Sequence, residues 1–131
     1  VFNSLAPSVI ENDFSIHVRQ PLDLDSMRNA IRLFLGKHDF SSFRAQGCQA
    51  NKPIRTIDEA SIDVLDKKII FIFKAQSFLY QQIRIMVGSL LEVGSKNKDI
   101  NWISKLIDAK DRRLAGPTVP SKGLILKEIS Y

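Results

Sequence analysis

Cysteine and histidine are scarce in this chain of 131 residues, which contains one cysteine, Cys48, and two histidines, His17 and His38. A single cysteine excludes an intramolecular disulfide and is typical of proteins from reducing compartments. The three residues also lack the paired spacing that a closed tetrahedral zinc site requires. We therefore expect no disulfide and no metal site, and the cysteine usage predicts a cytoplasmic protein.

Long apolar runs are also missing from the sequence. No uninterrupted apolar segment approaches the roughly 20 residues that cross a bilayer, and the first residues lack the basic-then-apolar pattern of a secretion signal. The length is that of one domain with a substantial core. The sequence therefore predicts a single folded domain without a membrane partner.

The chain has 19 lysines and arginines against 14 acidic residues, a formal net charge of +5. An excess of this kind favours a polyanionic partner, but it also occurs in proteins that never bind nucleic acid. Charge alone leaves both possibilities open.

The most apolar stretch runs from Phe78 to Val93 and contains one guanidinium, that of Arg84. At about 100° per residue, its core-facing positions form one helical stripe: Leu79, Ile83, Met86, Val87 and Leu90. Arg84 lies on the flank of this stripe. A buried arginine costs several kcal/mol unless a carboxylate or phosphate meets it, so the pattern predicts an anionic partner. The alternative is that the side chain runs along the stripe and ends in water.

The remaining elements follow from local patterns. A two-residue alternation around Phe14 predicts a strand, Asp23 or Asp25 can cap an amphipathic helix, and a turn near Asp66 joins two strands into a hairpin. Asp99 can cap a short helix after the apolar one. The last predicted strand comprises residues 124–129.

This order of elements is that of a split βαβ unit. We therefore predict an α+β, ferredoxin-like domain with an antiparallel four-stranded sheet and helices on one face. The predicted domain comprises residues 13–131, preceded by a leading segment or truncated linker at residues 1–12.

Residues 36–54 show no sustained period and predict a long functional loop. Basic residues in and beside this segment are interleaved with phenylalanines, the mixture that binds phosphates and stacks on bases. The predicted RNA-binding residues here are Lys37, Phe43, Arg44, Lys52 and Arg55. The alternative is that Phe40 and Phe43 simply pin the loop to the core.

Several blocks of sequence together resemble the TruA-type tRNA pseudouridine synthase family. They are Gly36-Lys37-His38-Asp39-Phe40-Ser41-Ser42-Phe43-Arg44, Gly47-Cys48-Gln49-Ala50 with Arg55-Thr56-Ile57, Phe78-Leu79-Tyr80 with Val87-Gly88-Ser89-Leu90, and Lys110-Asp111-Arg112 with Ala115-Gly116. The blocks follow the family's order over most of residues 17–131, which makes them more specific than any one alone.

The resemblance implies an enzyme that isomerises uridine to pseudouridine in the tRNA anticodon stem-loop, at tRNA positions 38–40, as a homodimer without cofactor or metal. The family's catalytic aspartate lies in a Gly-Arg-Thr-Asp-Ala-Gly type motif that this sequence lacks. The chain therefore resembles the C-terminal half of such an enzyme, inactive without its N-terminal half. By the same resemblance, Arg84 orients the missing aspartate.

The resemblance also makes the segment from Lys37 to Arg55 a wall of the RNA-binding cleft. Lys110 and Arg112 are weaker RNA-binding candidates, and Arg113 is the weakest, since nearby aspartates offset their charge. Two alternatives stay open at this point. One is a non-catalytic RNA-binding module, and the other is a ferredoxin-like regulatory or assembly domain.

Overall fold

A computed structural model describes residues 9–17, 21–44, 53–66, 68–79, 81–116, 118–119 and 124–129. In these ranges the strands are β1 (Val9–His17), β2 (Gly36–Asp39), β3 (Ile54–Leu65), β4 (Lys68–Ala75) and β5 (Leu124–Ile129). The helices are α1 (Leu24–Ile31), α2 (Gln82–Gly94) and α3 (Ile100–Ala109). Short 3-10 helices occupy Arg32–Phe34, Ser41–Phe43 and Arg112–Leu114.

The strands form one antiparallel sheet with the order β2-β3-β4-β1-β5. Without β2, this is the strand order of a ferredoxin-like unit, and the predicted α+β fold with its four strands is confirmed. The interpretation of residues 36–54 as a structureless loop was wrong in part. Its first residues form β2, which pairs with β3 and extends the sheet by a fifth, short strand.

Strand β4 shows which face of the sheet belongs to the core. Ile69, Phe71 and Phe73 are buried under the helices, as the two-residue period of a strand requires. On the other face Lys74 bridges two neighbouring strands, with its Nζ 3.6 Å from Glu11 and 3.2 Å from Glu59. The hairpin prediction is confirmed, and β1 begins at Val9, earlier than the alternation around Phe14 indicated.

Helix α1 begins at the predicted cap, since the Asp23 carboxylate accepts hydrogen bonds from the backbone N–H and the hydroxyl of Ser26. The hydrogen bond from the Ser26 backbone is the main cause that holds the pKa of Asp23 below its ordinary value. The helix lies very close to α2, because a Cβ added to Gly94 would be 2.5 Å from the sulfur of Met27. The backbone N–H of Asp23 also donates to the Gly94 carbonyl at 2.8 Å.

Helix α2 is the apolar stretch of the sequence, but it begins at Gln82 and not at Phe78. The preceding Gln81 is left-handed, with φ of 60°, and the side chain of Gln82 accepts a hydrogen bond from the Leu79 N–H at 2.8 Å. The helix is buried on its predicted core stripe and also on the other side, at Ile85 and Ser89. The domain therefore covers α2 on more than one side and leaves Arg84, Leu91 and Glu92 half-buried.

Helix α3 is capped as predicted, with the Asp99 carboxylate accepting from the Trp102 N–H at 3.0 Å. Ile103 and Leu106 are its buried residues. Within the described part of the chain, every helix is too short or too polar to cross a bilayer.

Candidate active site and nucleic-acid surface

Arg84 lies near the N-terminus of α2 and is half-buried. Its Nε donates to the Val119 carbonyl at 2.7 Å, and the Val119 N–H donates back to the Arg84 carbonyl at 3.3 Å. The side chain therefore does not simply run out into water. Over the described ranges, no carboxylate forms an ion pair with this guanidinium. The remaining edge of the guanidinium still has donors for an anion.

Arg84 is joined in this way to a segment that we call the strap, the described residues 111–116 and 118–119. The first attachment of the strap is at Ser42, a fully buried serine far away in sequence. The Ser42 hydroxyl donates to the Leu106 carbonyl at 2.6 Å and accepts from the Asp111 N–H at 2.8 Å. Ser42 thus ties the end of α3 to the start of the strap.

The second attachment lies on α2, one turn beyond Arg84. The buried Ser89 hydroxyl donates to the Ile85 carbonyl and accepts from the Gly116 N–H, both at 3.0 Å. Gly116 lies so close to the helix that an added Cβ would be 2.9 Å from the backbone nitrogen of Ser89 and 3.0 Å from the carbonyl carbon of Gly88. Because Gly116 has no side chain, the strap can lie directly on the helix backbone.

Arg112 lies on the strap and donates from Nη2 to the Thr118 hydroxyl at 3.0 Å. Arg84 binds the next residue, Val119, and consecutive Cα atoms are about 3.8 Å apart. The structure therefore brings two of the predicted site residues to one place. Both guanidinium groups are therefore bonded to neighbouring residues of the strap, and each keeps further donors for a carboxylate or a phosphate.

The neighbouring basic residues differ in whether an acidic side chain pairs with them. Arg113 forms a two-point pair with Asp111, and this side-chain hydrogen bond holds the pKa of Asp111 below its ordinary value while raising that of Arg113. The low rank given to Arg113 agrees with this pair. Lys110 is exposed in a left-handed conformation at the end of α3, with φ of 55°.

The prediction that Phe43 stacks on RNA bases was wrong. Phe43 is fully buried and meets the ring of Phe34 edge to face, with centroids 5.2 Å apart. Phe40 is also fully buried and lies 6.2 Å from Phe43 between centroids. The alternative that the phenylalanines pin this segment to the core is what the structure shows.

The basic residues of the same segment differ in exposure and in hydrogen bonding. Arg44 is half-buried, while Lys52 and Cys48 fall outside the described residues. Lys37 is exposed on β2, and Arg55 is half-buried on β3 with its Nη1 donating to the Ile54 carbonyl at 2.8 Å.

Lys37 and Arg55 share the wall of an open cavity of about 400 Å³ at the edge of the sheet. Its lining residues are Lys37, Ile54, Arg55, Thr56, Asp58, Gln76 and Ser77. Sequence patterns did not indicate the neutral donors of this cavity, nor the two buried serines, Ser42 and Ser89, to which the strap is attached. A Gln-Ser pair between a strand and a helix gives a sequence reader no distinctive signal.

Among the residues that the structure describes, no three histidine, cysteine or acidic side chains are grouped so that they could hold a metal ion. His38 is engaged with the backbone, since its Nε2 lies 2.7 Å from the Leu35 carbonyl.

The fold is that of a ferredoxin-like α+β domain, and it places Arg84 and Arg112 beside one segment of the chain. Residues 30–131 match the model of a family described as tRNA pseudouridine synthase. The chain belongs to this family.

Curated relatives agree with the family match. The chain is 44% identical over 112 residues to tRNA pseudouridine synthase A of Bordetella parapertussis, covering 86% of this chain and 42% of that protein. It is 42% identical over 125 residues to the protein of that name from Gluconobacter oxydans, covering 95% of this chain and 45% of the relative. For Buchnera aphidicola subsp. Schizaphis graminum the identity is 42% over 131 residues, which is 100% of this chain and 49% of the relative. The chain thus spans about half the length of these relatives.

Proposed function

We propose that this chain forms one wall of the active site of a tRNA pseudouridine synthase that acts on the anticodon stem-loop, at tRNA positions 38–40. The observation that carries the proposal is Arg84, a half-buried guanidinium held by the Val119 carbonyl with further donors to offer. The family membership of the chain supplies the reaction class.

Arg84 is the positioning residue in this proposal. It meets the carboxylate of an aspartate that the N-terminal half of the enzyme supplies, because the aspartate motif is absent from this sequence. A two-point pair with a guanidinium keeps a carboxylate ionised and fixes its direction, as a nucleophile or base requires. The strap supports this role, because it fixes the Nε edge of the guanidinium.

The reaction requires that the target uridine leave its stack, since its glycosidic bond is broken and remade at a ring carbon after the base turns over. The product is an isomer of the substrate, so the chemistry needs no added group and no electron carrier. RNA phosphates are held by basic residues near the cleft in this proposal: Lys37, Arg44, Lys52, Arg55, Lys110 and Arg112. A homodimer in the cytoplasm completes the proposal, on the strength of the family resemblance.

The test of the role of Arg84 uses this chain mixed with a separately produced N-terminal half, with pseudouridine formation in an anticodon stem-loop as the readout. We expect no product from the chain alone and product from the mixture. Arg84→Lys keeps the charge but loses the two-point fork, so the rate should fall about 100-fold or more. Arg32→Lys, at an exposed residue of the 3-10 helix after α1, is the matched control and should change little.

Two results would contradict the proposal. Product from the chain alone would show that no second half is needed, and an Arg84→Lys rate within about twofold of the unchanged mixture would remove Arg84 from the mechanism. The second candidate is a non-catalytic RNA-binding module, which the missing aspartate motif favours. Tight RNA binding without product, even in the mixture, would select that candidate.

A further inference from the structure

The cavity at the sheet edge has the composition of a site for a nucleic-acid backbone. Lys37 and Arg55 both line it, and because β2 pairs Lys37 with Thr56, these two side chains share one face of the sheet. The segment that leaves β4 supplies Gln76 and Ser77 as neutral donors on the other side. Its volume of about 400 Å³ lies within the range of small-molecule sites.

We propose that this cavity binds one ribose-phosphate unit of the RNA backbone. The phosphate lies beside Lys37 and accepts further hydrogen bonds from the Thr56 and Ser77 hydroxyls. This inference rests on the proposed function, because it assumes that the partner of the chain is RNA.

The charge and exposure of the lining residues support the binding of a phosphate in this cavity. Lys37 is exposed, and across the described residues no acidic side chain pairs with it. With the carboxylate of Asp58 included, the three charged side chains of the lining carry a net charge of +1. A single phosphodiester carries the opposite charge.

Asp58 provides an acceptor for a ribose next to the proposed phosphate position. A carboxylate repels a second phosphate, but it accepts a hydrogen bond from the 2′-hydroxyl of the sugar. That hydroxyl is the group by which a protein distinguishes RNA from DNA. Asp58 is exposed at the mouth of the cavity, where a ribose next to the bound phosphate can meet it.

The cavity is close to Arg84 along the chain. Ser77 precedes Arg84 by seven residues, of which the last few belong to the start of α2. Extended residues span at most about 3.5 Å each and helical residues about 1.5 Å, so the two backbones are at most about 20 Å apart. The bound phosphate would therefore belong to the same stem-loop as the uridine that meets the site of Arg84.

The test measures binding of an anticodon stem-loop RNA to the chain over a range of salt concentrations. Lys37→Gln should weaken binding and flatten the logarithmic salt slope by about 0.7 to 0.9, because one phosphate contact loses its cation. Thr56→Val removes a hydroxyl without changing charge, so binding should weaken about two- to tenfold with an unchanged slope. Thr56→Ser, which keeps the hydroxyl, should restore the affinity.

Lys98→Gln is the matched control for charge. Lys98 is exposed beyond the C-terminal end of α2, whereas the cavity precedes its N-terminal end, and the helix between them is about 20 Å long. We expect Lys98→Gln to leave both the affinity and the slope nearly unchanged. A thermal melt of each variant confirms that differences in binding do not come from unfolding.

The 2′-hydroxyl is tested by comparing RNA with DNA of the same sequence. Asp58→Ala should lower the ratio of RNA to DNA affinity, while Lys98→Gln should not. If the unchanged chain binds RNA and the Lys37 and Thr56 variants behave like Lys98→Gln, the cavity is not the phosphate site, although the proposed function stands. If the unchanged chain shows no salt-dependent RNA binding, the RNA partner itself is refuted.

Discussion

Replacing Gly116 by alanine should detach the strap from α2. The added Cβ would lie 2.9 Å from both the nitrogen and the Cα of Ser89, whereas carbon atoms normally rest about 3.5 to 4.0 Å apart. The atoms it meets belong to a helix backbone, which cannot move aside. The strap must therefore retreat by about 0.5 to 1 Å, which stretches the hydrogen bond from the Gly116 N–H to the Ser89 hydroxyl.

The cost of Gly116→Ala can be worked from two contributions. Overfilling a packed site costs about 1 to 3 kcal/mol, and leaving a buried donor unsatisfied costs about 1 to 3 kcal/mol. These contributions overlap, so we expect a loss of about 2 to 5 kcal/mol in the free energy of unfolding. Ser89→Ala loses the hydrogen bond without the collision and should cost less, about 1 to 3 kcal/mol.

Urea unfolding followed by circular dichroism measures both losses. Asn101→Ala on the exposed side of α3 is the control, expected to stay within about 0.5 kcal/mol of the unchanged chain. In the same samples, the Nε–H of Arg84 should exchange faster with solvent in Gly116→Ala, since its acceptor Val119 lies on the displaced strap. A Gly116→Ala midpoint equal to that of Asn101→Ala would refute the close contact and the reasoning built on it.

Two further changes test other attachments. Ser42→Ala removes the hydroxyl that joins Leu106 to Asp111, so it should lower the free energy of unfolding by about 1 to 3 kcal/mol, and an unchanged urea midpoint would contradict this. Asp23 has a lowered pKa in the folded chain, so its stabilisation is present above its unfolded pKa of about 3.9 and is lost as pH falls through the lower folded value. The stability difference between the chain and Asp23→Asn should therefore shrink between about pH 5 and pH 3, and a constant difference would argue against the cap.

Much of the fold could be predicted because its signals are local. Asp23 and Asp99 cap their helices through bonds to residues three positions ahead, and such spacing is visible in a sequence. Residues 69–73 of strand β4 are all β-prone, which predicts the strand, whereas its core face is seen only in the alternating burial of the structure. The split βαβ order then leaves few topologies to consider.

The start of α2 was missed because apolar periodicity continues beyond the helix itself. Phe78 and Leu79 contact the core from an extended segment, so their pattern resembles another helical turn. The left-handed Gln81 interrupts the helix, and glutamine gives no warning of that conformation.

The sequence singled out a candidate site residue only where that residue lay among neighbours of a different chemical character. Arg84 stood out because a charge in an apolar stretch needs a partner. Phe43 was misassigned because basic neighbours in sequence say nothing about which way a ring points. The bond between Ser42 and Asp111 joins residues 69 positions apart, and no local pattern records such a contact.

Most of α2 is buried, since ten of its 13 residues are buried and only Arg84, Leu91 and Glu92 are half-buried. A helix packed in this way opens only when the elements around it open, so its backbone amides should belong to the slowest set in hydrogen exchange. Arg84 therefore projects from a helix that we expect to keep its position. Where the domain adjusts to a ligand, we expect the segments around α2 to move and the helix itself to stay in place.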